Sequence, residues 1–339
     1  MNTLYGQAVL SCEQFDLQTL NRLFELADIL QPVAQGKART NVLEGAIMGS
    51  LFFEASTRTR LSFDAAFMRL GGKVSNTTGV SFSSIVKGES IEDTAHVISG
   101  YFDVVVVRHP EEEAIHKMAG ATNTPIINAG NGAGEHPTQA LLDAYTIHNE
   151  FKQNGKTMDN CRIAMIGDLR YGRTVHSLVK LMSLYQNITF TFASPDFLSM
   201  PEYIVEFARK RGHTVIETDQ LKDGIHNNDV IYATRIQKER FTQGEETRQP
   251  ELSFRINQAL IDEYALKDAI IMHPLPRDSR ENANDLSNDL DGDPRLAIFR
   301  QSDAGVPARM ALFAMVLGVD QEIEKTITPT AWFTPDSLH

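Results

Sequence analysis

The segment AIMGSLFFEASTRTRLSFDAAFMRLGG, residues 46–72, decides the fold. An apolar run from Ala46 to Phe53 breaks at Glu54, and a different period takes over. Phe63, Ala66, Phe67 and Leu70 recur at i, i+3, i+4 and i+7 until Gly71-Gly72 stops the pattern. A strand passing through a short polar turn into an amphipathic helix is the building unit of a parallel α/β sheet. The turn itself carries chemistry. Ser56 is an N-cap candidate, the N–H groups that follow lack intrahelical acceptors, and Thr57, Arg58 and Thr59 add hydroxyls and a guanidinium to the same helix start. Such a junction can hold a phosphate. Taken alone, it is equally well an ordinary capped helix with solvated arginines.

The same alternation extends in both directions. Strands are expected near Asp103–Val107 and Pro125–Asn128, and a second series near Arg162–Ile166, Thr189–Ala193, Thr214–Glu217, Val230–Ala233, Ile270–Met272 and Ala297–Phe299. Helical patterns between them make parallel pairing the expectation. Phe151–Asn160, polar and containing Gly155, is the most linker-like stretch. The fold class predicted is therefore α/β, with two doubly wound parallel-sheet domains, 1–150 and 151–300, and an active-site crevice between them. A helix within 301–318 is expected to cross back onto the first domain, leaving a tail at 319–339. Residues Ser75–Ser84 hold six Ser/Thr and one glycine ahead of Lys87, which reads as a mobile loop with a cation at its base or as a plain solvated loop.

Composition narrows the function. The chain has 339 residues, 42% hydrophobic and 22% charged, as globular proteins do. Its 32 Lys and Arg against 44 Asp and Glu give a net charge of −12, which argues against a nucleic-acid partner. Cys12 and Cys161 form no C-x-x-C pair and no disulfide framework, so structural zinc is not expected and a reducing compartment is. The first residues show no basic, then apolar, leader pattern. The apolar run Met310–Val319 is too short to span a bilayer. The expected location is the cytoplasm, with no membrane association.

Further candidate residues fall at the ends of expected strands, where open α/β sheets bind ligands. Arg108 follows Val104–Val107. His136-Pro137-Thr138-Gln139 opens a helix with proline suited to its first position. Gly167–Thr174 nearly fits G-x-x-x-x-G-K-[ST], but Arg173 stands in the lysine position and a planar guanidinium is no substitute there. What remains is Arg173 as a fork-shaped carboxylate binder. Thr234–Arg240 is rich in charge and by itself reads as a solvated run, whereas His273-Pro274-Leu275-Pro276-Arg277 is stiffened by two prolines and can aim carbonyl oxygens at an amide-like N–H.

Together, Phe53–Arg60, His136–Gln139 and His273–Pro276 resemble the aspartate/ornithine carbamoyltransferase family. With Gly167–Thr174 and Arg235–Glu239 the likeness is to its aspartate-using members and covers residues 5–318. The resemblance implies transfer of the carbamoyl group of carbamoyl phosphate to L-aspartate in de novo pyrimidine biosynthesis, without metal or organic cofactor. It implies that Ser56, Thr57, Arg58, Thr59 and Arg108 hold the phosphate, and that Thr59, Arg108 and His136 polarise the carbamoyl carbonyl. It assigns Gln139 and the backbone of Leu275 and Pro276 to the carbamoyl nitrogen, and Arg173, Arg235 and Gln237 to the aspartate carboxylates. Ser83 and Lys87 match loop residues that enter a neighbouring subunit's active site, which implies a homotrimer and leaves regulatory chains open. The ornithine branch fits poorly, because Ser199-Met200 runs into Pro201 and His-Pro-Leu-Pro replaces His-Cys-Leu-Pro. A silent scaffolding paralogue is disfavoured by the retained polar site residues.

Overall fold

In the computed structural model, residues 4–78, 88–132, 134–236, 254–278, 280 and 285–332 are described. Leu17–Ala34 forms α1, capped by the Asp16 carboxylate accepting from the Thr19 N–H at 2.7 Å, and Ala38–Arg39 forms β1. The apolar run becomes β2 (Ile47–Phe52) and the periodic stretch α2 (Thr57–Arg69), with Phe63, Ala66 and Phe67 fully buried. There follow β3 (Lys73–Thr78), α3 (Ile91–Ser99), β4 (Val104–His109), α4 (Ala114–Gly120), β5 (Ile126–Asn131) and α5 (Pro137–Gln153). Four strands pair in parallel in the order β3-β2-β4-β5.

The second series comprises β6 (Arg162–Ile166), α6 (Arg173–Met182), β7 (Thr189–Ala193), α7 (Glu202–Lys210), β8 (Thr214–Thr218), α8 (Leu221–Ile225), β9 (Val230–Ala233), α9 (Gln258–Tyr264), β10 (Ile270–Met272) and α10 (Ile298–Asp303). Its sheet is again parallel, ordered β10-β9-β6-β7-β8. The apolar residues of β6, β7, β9 and β10 are buried, as a helix-covered parallel sheet requires, whereas the edge strand β8 leaves Ile216 exposed. The chain closes with α11 (Gly305–Val316), α12 (Ile323–Thr326) and β11 (Thr328–Pro329). α11 packs against α1 and α2, with the Phe313 ring edge-on to Phe63 and Phe67 at 5.9 and 5.0 Å. β11 pairs antiparallel with β1.

Three expectations differ from this structure. Ala297–Phe299 is no strand. The backbone makes one parallel bridge from Leu296 to Ile271 and then coils, the Gln301 N–H reaching the Ala297 carbonyl at 2.7 Å to open α10. Four apolar residues are too few to show a period. The polar stretch beginning at Ser75 is not loop throughout. Its first four residues lie in β3, an edge strand in which Ser75, Asn76 and Thr77 are exposed and the sequence shows no apolar alternation. Finally, α5 runs straight through residue 150. The contacts divide the chain inside that helix, into residues 1–142 with 303–339, and residues 143–302.

Candidate active site

In the first sheet the chain steps from β2 outward to β3, then returns to place β4 on the other side of β2. The carboxyl ends of β2 and β4 thus flank a topological switch point, where neighbouring connections diverge and leave room for a ligand. Both ends carry predicted site residues. Ser56 is extended at the N-cap of α2 (φ −157°, ψ 96°), and its side chain makes no capping hydrogen bond. Thr57, Arg58 and Thr59 form the first helical positions, Thr57 and Arg58 exposed and Thr59 half-buried. Partial burial lowers the Arg58 guanidinium from its ordinary value, yet arginine stays charged at neutral pH.

Arg108 is the penultimate residue of β4 and is 9% exposed. A guanidinium so deeply placed needs partners. Its Nη2 meets Glu54 Oε2 at 2.8 Å across the β2–β4 switch point, and its Nη1 donates to the Ala129 carbonyl at 3.3 Å. The β4–β5 register shifts between Val107 and His109, an irregularity of the kind that re-aims a side chain. His136 is buried immediately before α5, and its carbonyl accepts from the N–H groups of Gln139 (3.0 Å) and Ala140 (3.2 Å). Gln139 is half-buried in the first turn.

Residues that no sequence motif marks hold this edge. Glu135 accepts from Ser11 Oγ at 3.0 Å and from the Cys12 N–H at 2.8 Å, and its own N–H donates to Asn131 Oδ1 at 2.8 Å. Asn128 Oδ1 accepts from the Gly130 N–H at 2.7 Å, while its Nδ2 reaches the Leu10 carbonyl at 2.9 Å. The loop between Arg108's acceptor Ala129 and His136 is therefore tied to the N-terminal segment. The partners lie over a hundred residues apart and share no motif.

The second sheet has its own switch point, between β6 and β9. Arg173, 7% exposed, is the first residue of α6 after β6, and Arg235, half-buried, follows β9. Gly167 (φ +112°) is forced by closeness, since a Cβ there would lie 2.5 Å from the Thr234 carbonyl oxygen. Thr234 Oγ1 donates to the Ile166 and Asp168 carbonyls at 3.1 and 3.3 Å. Asp168 Oδ1 accepts from the Tyr171 N–H at 3.0 Å, and His176 Nε2 lies 2.6 Å from the Leu169 carbonyl. These contacts shape residues 167–172 and so aim Arg173.

The turn after β10 is unusual. Leu275 has φ +54°, a left-handed conformation that costs a non-glycine residue about 1 to 3 kcal/mol and persists only when its surroundings hold it. The bond to Pro276 is cis. His273 Nδ1 accepts from the Leu275 N–H at 2.9 Å, and His273 Nε2 lies 2.9 Å from Asp285 Oδ1. Asp285 also accepts from the N–H groups of Asp278 (2.6 Å) and Leu286 (2.7 Å). The Arg280 guanidinium holds the Asp278 carboxyl down at about 2, and Arg235 adds to that lowering. Because β9 and β10 pair side by side in parallel, Arg235 and the turn bearing Leu275 and Pro276 follow neighbouring strands at one sheet edge. Ser83, Lys87 and Gln237 lie outside the described residues. Among the described residues, no group of three or more His, Cys, Asp or Glu could hold a metal ion.

Two family models match the chain. The aspartate/ornithine carbamoyltransferase carbamoyl-P binding domain matches residues 7–149, and the Asp/Orn binding domain of that family matches residues 159–316. The aspartate carbamoyltransferase catalytic subunit of Dichelobacter nodosus is 55% identical over 334 residues, 98% of this chain and 96% of that protein. Its counterpart from Cellvibrio japonicus is 52% identical over 329 residues, 97% of each. The crystal structure of Trypanosoma cruzi aspartate transcarbamoylase with carbamoyl phosphate superposes with a TM-score of 0.85 at 41% identity, covering 93% of this chain and 98% of that one. The same enzyme with N-(phosphonacetyl)-L-aspartic acid gives 0.83 at 42% identity, covering 93% and 97%.

Proposed function

The chain belongs to the aspartate/ornithine carbamoyltransferase family, and on that premise we propose that it transfers the carbamoyl group of carbamoyl phosphate to the amine of L-aspartate. The products are N-carbamoyl-L-aspartate and phosphate, in de novo pyrimidine biosynthesis. The observation that carries this reading is the β2–β4 switch point, where the start of α2 and a buried arginine meet at the end of one parallel sheet.

The chemistry follows from charge. Attack of the amine on the carbamoyl carbon puts negative charge on the carbonyl oxygen, where Thr59, Arg108 and His136 are assigned to receive it. Collapse expels phosphate, whose charge falls to Ser56, Thr57, Arg58 and Thr59 at the helix start. Donors fixed in advance stabilise such charge without reorganising, and in reactions of this kind that supplies most of the rate enhancement. The Glu54–Arg108 pair makes the entering phosphate a competitor for that guanidinium. Gln139 and the Leu275 and Pro276 carbonyls hold the carbamoyl amine, while Arg173, Arg235 and Gln237 bind the two carboxylates of aspartate. No side-chain nucleophile is needed, and the leaving phosphate can take the amine's proton.

Arg235 set against a side-chain carboxylate also explains amino-acid choice, because the ammonium of ornithine would meet like charge there. Colorimetric assay of the purified chain should give carbamoyl aspartate and no citrulline. Production of citrulline alone would overturn the reading. The proposal extends to a homotrimer in which Ser83 and Lys87 complete a neighbouring site. Arg58→Ala and Lys87→Ala subunits, each inactive, should regain part of the activity when reassembled together, and verified mixed oligomers without recovery would mean single-chain sites. Two buried cysteines outside any disulfide suit a reducing cytoplasm.

A further inference from the structure

Asp143 lies one helical turn beyond Gln139 on α5, is fully buried, and has no part in the reaction as assigned. Its Oδ2 accepts from the Tyr232 hydroxyl on β9 at 2.7 Å, and its Oδ1 accepts from Gln301 Nε2 on α10 at 2.6 Å. The other end of Gln301 faces the substrate turn, where Oε1 accepts from the backbone N–H of His273 at 2.9 Å. Tyr232, Gln301 and His273 are at most 1% exposed. A polar chain so buried is held in place by the cost of leaving any member unpaired.

Its orientation admits one solution. A carboxylate only accepts and a backbone N–H only donates, so the residue between them must donate at one end and accept at the other. Glutamine does both, and Asp143 decides which way round it stands. From His273 the order passes on. Its ring nitrogen holds the Leu275 N–H at 2.9 Å, the residue whose left-handed backbone needs holding. We propose that Gln301, set by Asp143 and Tyr232, is a positioning residue that aims the Leu275 and Pro276 carbonyls at the carbamoyl nitrogen. It thereby sets the preference for a carbamoyl over an acyl phosphate. This deepens the function proposed above and rests on it.

The test uses the full chain and three ligands: inorganic phosphate, carbamoyl phosphate, and acetyl phosphate, which has a methyl group in place of the amine. Gln301→Glu keeps the shape but sets acceptor against acceptor at Asp143. It should weaken carbamoyl phosphate about 3- to 10-fold, the worth of one neutral hydrogen bond, and leave phosphate and acetyl phosphate within about twofold. The swap Asp143→Asn with Gln301→Glu restores one donor facing one acceptor at each contact and should recover the preference, which a loss of general stability would not. Tyr232→Phe removes only a hydroxyl and should shift the ratio the same way by a smaller factor. It carries the test should Gln301→Glu not fold. A folded Gln301→Glu or Tyr232→Phe chain with the native ratio, or one that weakens all three ligands equally, would overturn the proposal. A native chain that binds carbamoyl and acetyl phosphate alike would instead overturn the assignment of the turn itself.

Discussion

Replacing Gly167 by alanine tests whether the two loops flanking the β6–β9 switch point act as one piece. At φ +112° an L-residue is strained by about 1 to 3 kcal/mol. The added Cβ would sit 2.5 Å from the Thr234 carbonyl oxygen and 2.8 Å from its hydroxyl, both inside van der Waals contact. The Thr234 backbone cannot simply swing away, because its N–H donates to the Ile166 carbonyl at 2.8 Å and its hydroxyl to the same oxygen at 3.1 Å. Overpacking of this kind costs a further 1 to 3 kcal/mol or so, giving about 2 to 6 kcal/mol in all. For a unit of this size, that lowers Tm by roughly 6 to 18 °C. The relief must come from parting the two loops, which moves Arg173 away from Arg235. Misplacement by about 1 Å can cost 10²-fold, so aspartate KM should rise at least tenfold while carbamoyl phosphate saturation changes far less. Thermal melts and steady-state kinetics read both effects. A variant with native Tm and native aspartate KM would refute the reasoning, and a lowered Tm with native KM would show that the strain does not reach the arginines.

Other outcomes follow from the same site. Arg58→Ala should lower kcat by about 10² to 10³ with little change in aspartate KM, since it removes one preorganised partner of leaving-group charge; near-normal turnover in steady-state assays would sink that assignment. Arg235→Ala should raise aspartate KM about tenfold to 150-fold, the worth of a charge-assisted hydrogen bond, and a rise confined to carbamoyl phosphate would reverse the division of substrates. Arg295, 2.6 Å away, holds the Asp293 carboxyl down at about 2. The stability from that pair is complete above the ordinary carboxylate pKa near 3.9 and is lost as pH falls through about 2. Urea midpoints of Asp293→Asn measured from pH 5 to 2 should therefore fall less steeply than those of the native chain.

Strands such as Arg162–Ile166 and Val230–Ala233 are legible to the residue because continuous apolar runs bounded by polar clusters have few other readings. β3 is not. An edge strand of Lys, Ser, Asn and Thr with the single apolar residue Val74 owes its place to the register with β2, which no local pattern records. The division inside α5 is hidden for a related reason, since a helix passing from one core to another shows no break in its own period. In the site, the arginines and hydroxyls announce themselves at strand ends, and the switch points account for why those ends matter. Their supports do not. Glu54 stands in the motif with nothing to mark it as the partner of Arg108, and Asp143 and Gln301 are joined only by folding across 158 residues.

The first unit is assembled from both ends of the chain, whereas the second is one unbroken stretch. During synthesis residues 143–302 leave the ribosome as a complete set, so the second unit has every segment it needs before the first does. α1 emerges early but must wait for α11, almost three hundred residues later, before its apolar face is covered. Until then α1, with Leu20, Leu23, Phe24 and Leu30 among the residues it buries, lacks α11 as a packing partner. A nascent or prematurely terminated chain ending near residue 302 thus exposes a greasy helix that holdase chaperones and proteases can recognise. The final forty residues decide whether the first ones are safe.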